Sequence, residues 1–233
     1  FGEEIFSECP SLTQITIPSS VTSIDHFCHN GSLQFDKITI IPCDEKRIEN
    51  FEDKFIIMNN EPTSENYDIL IWTMQKFSTV TIPSFIKTIG KNAFYYHTLL
   101  KQVTIPSSVT LISECAFYHC SSLEQVTIPS SVTFIGEFAF CGCSSLTQVT
   151  IPSSVTSISH RSFSDCSSLT QVTIPSSVKI IYDYAFDQCT SLDQVTILSA
   201  LTSIGKRIFA RCPSLTQVTI PSSLTLFDGF CFE

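Results

Sequence analysis

Residues Ser121 to Cys143, SSLEQVTIPSSVTFIGEFAFCGC, contain one complete copy of the motif that decides the fold of this 233-residue chain. Within this copy, Gln125 to Ile128 alternates polar and apolar residues and is rich in β-formers. That pattern predicts a short strand with its valine and isoleucine facing inward. Pro129 ends the strand because proline has no N–H to donate to a neighbouring strand.

The rest of the copy predicts a turn, a second extended piece and a second bend. The serine pair after the proline favours the turn, and Val132 to Ile135 favours the extended piece. Glu137 to Phe140 indicates a short helical or 3₁₀ turn. Gly136 stands at a position that also holds Ser113 and Ser159 in other copies, so a bend is expected there without a positive φ.

Copies of this motif follow one another at a step of 23 residues. The step is kept by Leu123, Leu146, Leu169, Leu192 and Leu215, by Ile105, Ile128, Ile151, Ile174, Ile197 and Ile220, and by Phe94, Phe117, Phe140, Phe163, Phe186, Phe209 and Phe232. Such a period is the signature of a repeat architecture, in which one unit cannot bury its apolar face alone. We therefore expect a solenoid of about ten coils, with parallel strands about 4.8 Å apart and identical residues in ladders.

Composition excludes several classes of partner. Only 15% of the residues are charged and the net charge is −9, which disfavours binding to nucleic acid or to anionic lipid. No apolar run approaches the length of a membrane span, and Phe1 to Ile5 lack a signal-peptide pattern. Because the chain begins and ends inside a repeat, we expect it to be a fragment of a longer protein.

The unit L-x-x-V-x-I-P-S-S-V-x-x-I-x-x-x-A-F-x-x-C resembles the BspA-like class of leucine-rich repeats, and its wording is most similar to trichomonad members. The resemblance covers residues 1–42 and 78–233. It implies an α/β fold: a right-handed solenoid with a parallel sheet on one face and short strands with helical or 3₁₀ turns on the other. It also implies a cell-surface or secreted adhesion module that binds host proteins, extracellular matrix or glycans.

The repeat breaks after Ile40, because the next isoleucine in register is Ile82, 42 residues later. We therefore divide the single solenoid into N-terminal repeats (1–42), an irregular segment (43–77) and regular repeats (78–233). The irregular segment holds the only Trp, both Met and eight of the 22 acidic residues. One interpretation is a degenerate repeat or two, with Phe55 to Met58 and Ile69 to Trp72 as strands. The other is a specificity segment carried on a uniform scaffold, and its candidate residues are Asn59, Asn60, Glu61, Tyr67 and Trp72.

Cysteines form another ladder, directly before the Ser-Ser-Leu turn. Its members are Cys120, Cys143, Cys166, Cys189 and Cys212, with Cys9 in the same frame and His97 replacing one rung. Stacked side chains point in parallel, which is unsuitable for disulfides, so we expect buried, inert thiols. Two sets could imitate zinc ligands, Cys115 and His119 with Cys141 and Cys143, and His26, Cys28 and His29, but neither has a recognised spacing. We predict no metal site and no cofactor.

Two outward rows on the predicted strands are the candidate binding face. They consist of Gln102, Gln125, Gln148, Gln171, Gln194 and Gln217, and of Thr104, Thr127, Thr150, Thr173, Thr196 and Thr219. One interpretation is that amide and hydroxyl ladders stabilise the stacked strands. The other is that this uncharged polar surface docks a partner, with the neighbouring row of Lys101, Glu124, Thr147, Thr170, Asp193 and Thr216 tuning selectivity.

Nothing in the chain places a nucleophile, a base and a carboxylate in one pocket, so we predict that it is not an enzyme. Asn30-Gly31-Ser32 is a possible glycosylation site. The favoured function is recognition or adhesion by avidity across a repetitive face. The alternative is a structural surface-coat element that self-associates through the faces or ends of the solenoid.

Overall fold

Short strands recur throughout the chain, as the alternation of polar and apolar residues predicts. The computed structural model describes residues 11–21, 37–43, 46–59 and 66–222. In chain order the strands are β1 (Gln14–Pro18), β2 (Lys37–Ile41), β3 (Ile48–Phe51), β4 (Phe55–Asn59), β5 (Tyr67–Thr73), β6 (Thr79–Thr81), β7 (Thr88–Ile89), β8 (Gln102–Thr104), β9 (Leu111–Ile112), β10 (Gln125–Thr127), β11 (Phe134–Ile135), β12 (Gln148–Thr150), β13 (Ser157–Ile158), β14 (Gln171–Ile174), β15 (Ile180–Ile181), β16 (Gln194–Ile197), β17 (Ser203–Ile204) and β18 (Gln217–Thr219).

The main sheet is built from the Gln-Val-Thr step of successive coils, which is Thr-Val-Thr in β6. Its seven strands lie in the order β18-β16-β14-β12-β10-β8-β6. Pairing is parallel and offset by one repeat, so that Gln125 lies opposite Gln102 on one side and Gln148 on the other. In β10 the central valine is buried and the flanking glutamine and threonine are exposed. The predicted solenoid with a parallel sheet and a coil of about 23 residues is thereby confirmed.

Proline sets the length of the strands in the main sheet, and a coil that lacks it shows why. The coil at Ile197 continues with Leu198 where the other coils of this sheet have proline. The N–H of Leu198 donates to the carbonyl of Ile174 at 2.9 Å, a bond that proline cannot make. Strands β14 and β16 therefore extend by one residue to Ile174 and Ile197. The same substitution leaves Leu198 56% exposed.

A second side of each coil carries the two-residue strands. β7, β9 and β11 pair in parallel and join β5, whereas β13, β15 and β17 form a separate three-stranded sheet. At the break between β11 and β13, the Ser159 hydroxyl donates to the carbonyl of Ile135. In the coil before, the equivalent carbonyl of Ile112 accepts the N–H of Gly136 at 2.8 Å. A side chain thus replaces a backbone donor at the break.

The third side, which we call the turn corner, comprises residues 91–97 and their equivalents at each 23-residue step up to 206–212. Two positions in every coil there have φ between 49° and 76°. They are Asn92 and Tyr96, Cys115 and His119, Phe138 and Gly142, Arg161 and Asp165, Tyr184 and Gln188, and Arg207 and Arg211. A right-handed helix cannot contain left-handed residues at this spacing.

The expected helical or 3₁₀ turn at Glu137 to Phe140 is therefore corrected. Backbone donors alternate here, because Ala139 donates within its coil to Gly136 at 3.3 Å while Phe140 donates to Ser162 of the next coil at 2.8 Å. Half of the turn's donors thus bind the coils together. The described residues contain no helix, so the α/β class and the helical face are not confirmed, and the described structure is built of strands and turns.

The core is a set of columns of identical side chains. Phenylalanine rings stack along the solenoid with centroids 4.7 Å apart for Phe94 and Phe117 and 5.0 Å apart for Phe117 and Phe140. The leucine column is equally buried, with Leu123, Leu146, Leu169 and Leu192 at 0% exposure. Each coil thus buries its apolar residues against its neighbours, as the repeat predicts.

Residues 46–59 and 66–73 depart from the coil pattern. Strands β3, β4 and β5 pair antiparallel, whereas the regular coils pair only in parallel. Three residues connect β3 to β4, and Glu52 and Asp53, with φ of 55° and 50°, are the central residues of a turn that the N–H of Lys54 closes by donating to the carbonyl of Phe51 at 3.2 Å. The predicted strands at Phe55 to Met58 and Ile69 to Trp72 are present. Because they form a meander rather than two further coils, the expected count of about ten coils is not confirmed.

This antiparallel unit separates two hydrophobic cores. Phe55 and Ile57 of β4 pack into the main core, whereas Ile56 of β4 and Ile71 of β5 pack with Ile17 in an N-terminal core. Both faces of β4 and β5 are therefore covered. Burial on both faces explains why their sequences are continuous apolar runs instead of alternating ones.

Gly136 is needed for space and not for its φ, because a Cβ there would lie 2.5 Å from the backbone nitrogen of Glu114 and 2.6 Å from the carbonyl carbon of Ser113. We expect Gly136→Ala to lower the free energy of unfolding by about 1–3 kcal/mol, because the coils must move apart to admit the methyl group. Urea unfolding measures it. Ser113→Ala, which adds no Cβ at the equivalent position, is the control, and equal losses for both variants would contradict the close-approach explanation.

Candidate functional site

The sheet face comprises the exposed Gln and Thr side chains of the seven-stranded sheet. Register pairing brings the predicted rows together, since Gln171 lies opposite Gln194 and Gln194 opposite Gln217, with Thr173 opposite Thr196. Within the described residues, no side-chain hydrogen bond joins one glutamine of the row to the next. The one Gln side-chain bond on the face runs from Gln194 Nε2 to Asp193 Oδ2 at 3.4 Å. The amide-ladder interpretation therefore gains no support from the side chains.

The neighbouring row, expected to tune selectivity, is linked along the solenoid. Lys101 Nζ and Glu124 Oε1 are 3.9 Å apart, and both side chains are well exposed. Thr147 donates to the carbonyl of Glu124 at 3.5 Å, and Thr216 donates to the Asp193 carboxylate. Charged groups thus border the sheet face, while its Gln and Thr rows are uncharged.

The proposed specificity segment is only partly available to a partner. Asn59 and Trp72 are 1% and 3% exposed. The Asn59 amide donates to the carbonyl of Lys46 at 2.9 Å, and Trp72 packs in the N-terminal core. Burial removes these two from the candidate set. Tyr67 is half-buried. Asn60, Glu61 and the glycosylation candidate Asn30 lie outside the described residues, as do His26, Cys28 and His29.

A surface cleft, which we call the junction cleft, lies where the antiparallel unit meets the first regular coils, and its volume is about 820 Å³. Its lining combines aromatic, charged and hydroxyl side chains: Glu49, Phe51, Ile57, Asn66, Tyr67, Asp68, Ser84, Phe85, Lys87, Ser108 and Thr110. Glu49 and Tyr67 also line a smaller concavity of about 350 Å³. The repeat pattern of the sequence does not indicate this cleft.

Phe85 is the sequence signal from which this cleft could have been inferred. It stands where most other coils have the second serine of the Ser-Ser turn, Ala200 being another exception. In those coils the serine hydroxyl binds the coil before, as Ser108 does to the carbonyl of Ile86 at 2.7 Å and Ser131 to that of Val109 at 2.6 Å. Phe85 instead meets Phe51 of the antiparallel unit edge-to-face, with ring centroids 5.2 Å apart. The serine of the repeat is thus replaced by phenylalanine in the first regular coil, because this coil packs against the antiparallel unit and not against another coil.

The turn corner holds a second group of interacting side chains, of which the sequence analysis named only His119. Tyr95 stacks on Tyr118 and Tyr96 on His119, with centroids 5.0 and 4.8 Å apart. Three coils beyond Tyr118, the fully buried Asp187 carboxylate accepts hydrogen bonds from Arg211 of the next coil. These contacts run between equivalent or adjacent positions of successive coils, so a structural role accounts for them.

The cysteine ladder is buried and hydrogen-bonded. Cys120, Cys143, Cys166 and Cys189 are 0% exposed, and burial raises the pKa of each thiol well above its ordinary value. Each sulfur donates to the carbonyl of a core phenylalanine 26 residues earlier, with Cys143 Sγ 3.2 Å from the Phe117 oxygen. The ladder thus satisfies backbone acceptors as well as filling space.

Other candidate ligands do not assemble. Burial raises the pKa of both Cys115 and Cys141 to about 12, which disfavours the thiolate that zinc requires. In the part of the chain that the structure describes, no group of three or more His, Cys, Asp or Glu side chains is placed to hold a metal ion. That same part contains no helix with the length and hydropathy needed to cross a bilayer.

Six copies of the BspA type leucine rich repeat match residues 1–61, 71–163 and 110–233. The chain belongs to the BspA type leucine-rich repeat family. Among solved structures, a leucine-rich repeat protein from Eubacterium ventriosum is 29% identical with a TM-score of 0.80, and the match covers 96% of this chain but 59% of that protein. The chain thus spans little more than half of this relative's length.

Two further structures have the same architecture. The T. pallidum leucine rich repeat protein is 30% identical with a TM-score of 0.65, over 68% of this chain and 78% of its own. A leucine rich cell surface protein from Faecalibacterium prausnitzii is 25% identical with a TM-score of 0.57, over 89% of this chain and 48% of its own. No curated protein sequence matched the chain.

The buried thiols of this family member are expected to be unreactive. In the folded chain at pH 8, Cys120, Cys143, Cys166 and Cys189 should alkylate with iodoacetamide at least about 100-fold more slowly than in urea, because burial disfavours the thiolate and blocks access. Peptide mass spectrometry gives the rate at each site. The half-buried Cys43 is the internal reference, and ladder rates equal to that of Cys43 would contradict the prediction.

His97 replaces one rung of the ladder and should make stability depend on pH. The buried ring approaches the Met74 carbonyl with Nε2 at 3.1 Å, and burial lowers the pKa of His97 from 6.5 to about 4. The unfolded chain therefore binds the proton first, so stability present above pH 6.5 is lost as the pH falls towards 4. The expected loss is roughly 3 kcal/mol.

Urea unfolding at a series of pH values tests this expectation. The His97→Cys variant, which restores the rung residue, should lose less stability than the parent chain between pH 6.5 and 4. His160→Gln, which removes a half-buried imidazole from the turn corner, should keep the parent's pH profile. Parallel profiles for the parent chain and His97→Cys would show that His97 does not titrate in this range.

Proposed function

We propose that this chain is a recognition or adhesion module that binds a protein or glycan partner across its sheet face. The observation that carries the proposal is the register of the Gln and Thr rows, which presents one amide and one hydroxyl per coil. Because no Gln-to-Gln hydrogen bond occupies these amides within the described face, their donors and acceptors remain for a partner. The cell-surface or secreted location implied by the family is part of the same proposal.

The arrangement suits many weak contacts better than one strong contact. An exposed amide or hydroxyl exchanges water for a partner with a net gain of only about 0.5–1.5 kcal/mol. Repeating the same groups along one face lets a partner with several equivalent groups engage several coils together, which multiplies affinity without any new kind of contact. The charged border at Lys101, Glu124 and Asp193 would then act on orientation and selectivity.

The relatives support the coarse part of this function. The Faecalibacterium protein is described as a leucine rich cell surface protein, and family membership places the chain among repeat proteins, whose extended surfaces serve binding. The partner itself is defined in this proposal by chemistry alone. It must accept and donate hydrogen bonds over a broad area and must not depend on attraction to a strongly charged face.

The test uses the folded 233-residue chain and a panel of immobilised host extracellular-matrix proteins and glycans. A triple variant, Thr104→Lys, Thr127→Lys and Thr150→Lys, adds three charges to adjacent coils of the sheet face. We expect it to weaken binding of any panel member recognised by the parent chain at least about tenfold, because buried unpaired charge opposes docking. Biolayer interferometry gives the dissociation constants.

The chain offers a matched control on its second side. Thr133, Thr156 and Thr202 are exposed threonines of that side and lie outside the lining of the junction cleft, so their change to lysine alters the net charge equally. This control variant should bind within about twofold of the parent chain. Equal losses for both triple variants would overturn the assignment of the binding face. If no panel member binds while sedimentation shows concentration-dependent self-association, the surface-coat function would replace recognition.

A further inference from the structure

The junction cleft has a composition unlike the rest of the surface. Aromatic side chains from the antiparallel unit and from the first coil converge there, with Phe51, Tyr67 and Phe85 lining one concavity together with the carboxylate of Glu49. Its volume of about 820 Å³ lies in the range of ligand pockets. A few polar groups on a largely apolar concave wall are the usual composition of a binding site.

Strand alternation explains why a carboxylate stands on this apolar wall. In β3, Ile48 is buried in the N-terminal core, so Glu49 and Phe51, one and three residues later, share the opposite face. Glu49 lies opposite Ile57 and Phe51 opposite Phe55 in the antiparallel pair. The Glu49 carboxylate is therefore flanked by aliphatic and aromatic side chains on its own sheet.

The charge balance of the cleft is negative. Asp68 Oδ2 and Lys87 Nζ form an ion pair at 3.2 Å, so these two lining residues neutralise each other. Glu49 has no ion-pair partner within 4.0 Å among the described residues. The one uncompensated charge in the lining is thus a carboxylate, in a cleft that three aromatic side chains also line, within a chain of net charge −9.

We infer that the junction cleft binds the guanidinium or ammonium group of a basic side chain in a peptide segment of a protein partner. Such a group pairs with a carboxylate and at the same time lies favourably over aromatic faces. The chain already uses this chemistry internally, since Arg161 lies over the Tyr184 ring at 4.7 Å and Lys54 over Phe77 at 5.5 Å. Phe85, which replaces the repeat's serine, supplies the aromatic component that no other coil has at this position.

The site is separate from the sheet face, so either proposal can fail alone. The adjoining concavity shares Glu49 and Tyr67 with the cleft and is also lined by Lys37, Lys46, Asn50 and Asp53. Its mixed charges and amide suit the backbone and neighbouring side chains of a peptide better than a second basic group. One basic side chain in the cleft would leave its backbone free to run along this concavity.

The experiment titrates the isotope-labelled 233-residue chain by NMR with the peptide acetyl-Gly-Arg-Gly-amide. The matched probe is acetyl-Gly-norleucine-Gly-amide, which has a similar apolar stem without the charge. We expect the arginine peptide to shift resonances of Phe51, Tyr67 and Phe85, with a dissociation constant at least about fivefold lower than that of the norleucine peptide.

Two variants test the two components of recognition, and a third controls for net charge. Glu49→Gln removes the carboxylate isosterically, and Phe85→Ser restores the repeat residue. Each should weaken arginine-peptide binding at least about threefold. Glu137→Gln removes one exposed carboxylate from the turn corner and should leave binding unchanged. The thermal midpoint of each variant shows whether it remains folded.

Three results would overturn the inference. Equal affinity for the arginine and norleucine peptides would show that the cleft binds the apolar stem of the side chain and not its charged group. Equal effects of Glu49→Gln and Glu137→Gln would make the attraction a property of the whole acidic chain. Saturable shifts at Phe51 and Phe85 caused by an N-acetylglucosamine oligosaccharide, without shifts from the arginine peptide, would assign the cleft to a glycan.

Discussion

The core side chains in the regular part of this protein stack on the same position of the next coil. This constraint follows from parallel pairing at a constant step of 23 residues, and the rest of the structure depends on it. A residue type is suited to a core column only if it packs against copies of itself. Phenylalanine satisfies the condition by stacking, and valine and leucine by close packing. The cysteine thiols satisfy it by donating to the carbonyl of a phenylalanine in an earlier coil.

Residues that depart from the repeat are consequently informative, because each of them makes a contact with the adjacent coil or strand that the repeat residue does not make. Leu198 has the backbone N–H that proline lacks, and strands β14 and β16 are each one residue longer as a result. Phe85 faces an antiparallel strand instead of a coil, and an aromatic contact replaces a serine hydrogen bond. His97 stands at the rung nearest the antiparallel unit and reaches the carbonyl of Met74. Both Phe85 and His97 mark the junction at which uniform stacking begins.

The contrast between the sheet face and the junction cleft suggests a division of tasks. The sheet face repeats one chemistry over seven strands, which provides area and avidity but little discrimination between partners. The cleft occurs where the antiparallel unit meets the coils, and it brings aromatic rings and a carboxylate together once. Specific contacts of that kind require residues from elements that do not repeat.

Most of the fold was predictable from the sequence, because residues that recur at a strict period of 23 become neighbours in adjacent coils. A pattern read within one copy therefore also specifies contacts between copies. Once Val126, Val149 and Val172 are known to recur at one step, parallel register, inward and outward faces and the buried columns all follow. The turn corner was not predictable. Its left-handed positions hold such different residues as Cys115, Phe138 and Arg161, and hydrogen bonds to the next coil impose their φ.

The candidate sites divide in the same way. The sequence determined the Gln and Thr rows, since alternation and period are local properties. It also marked residues 43–77 as irregular, although two of the candidate residues in that segment, Asn59 and Trp72, are buried. Only the tertiary structure decided that β4 and β5 are covered on both faces and that Glu49 meets Phe85 in one cleft. Antiparallel pairing joins residues at varying separations along the chain, and no period in the sequence encodes which of them meet.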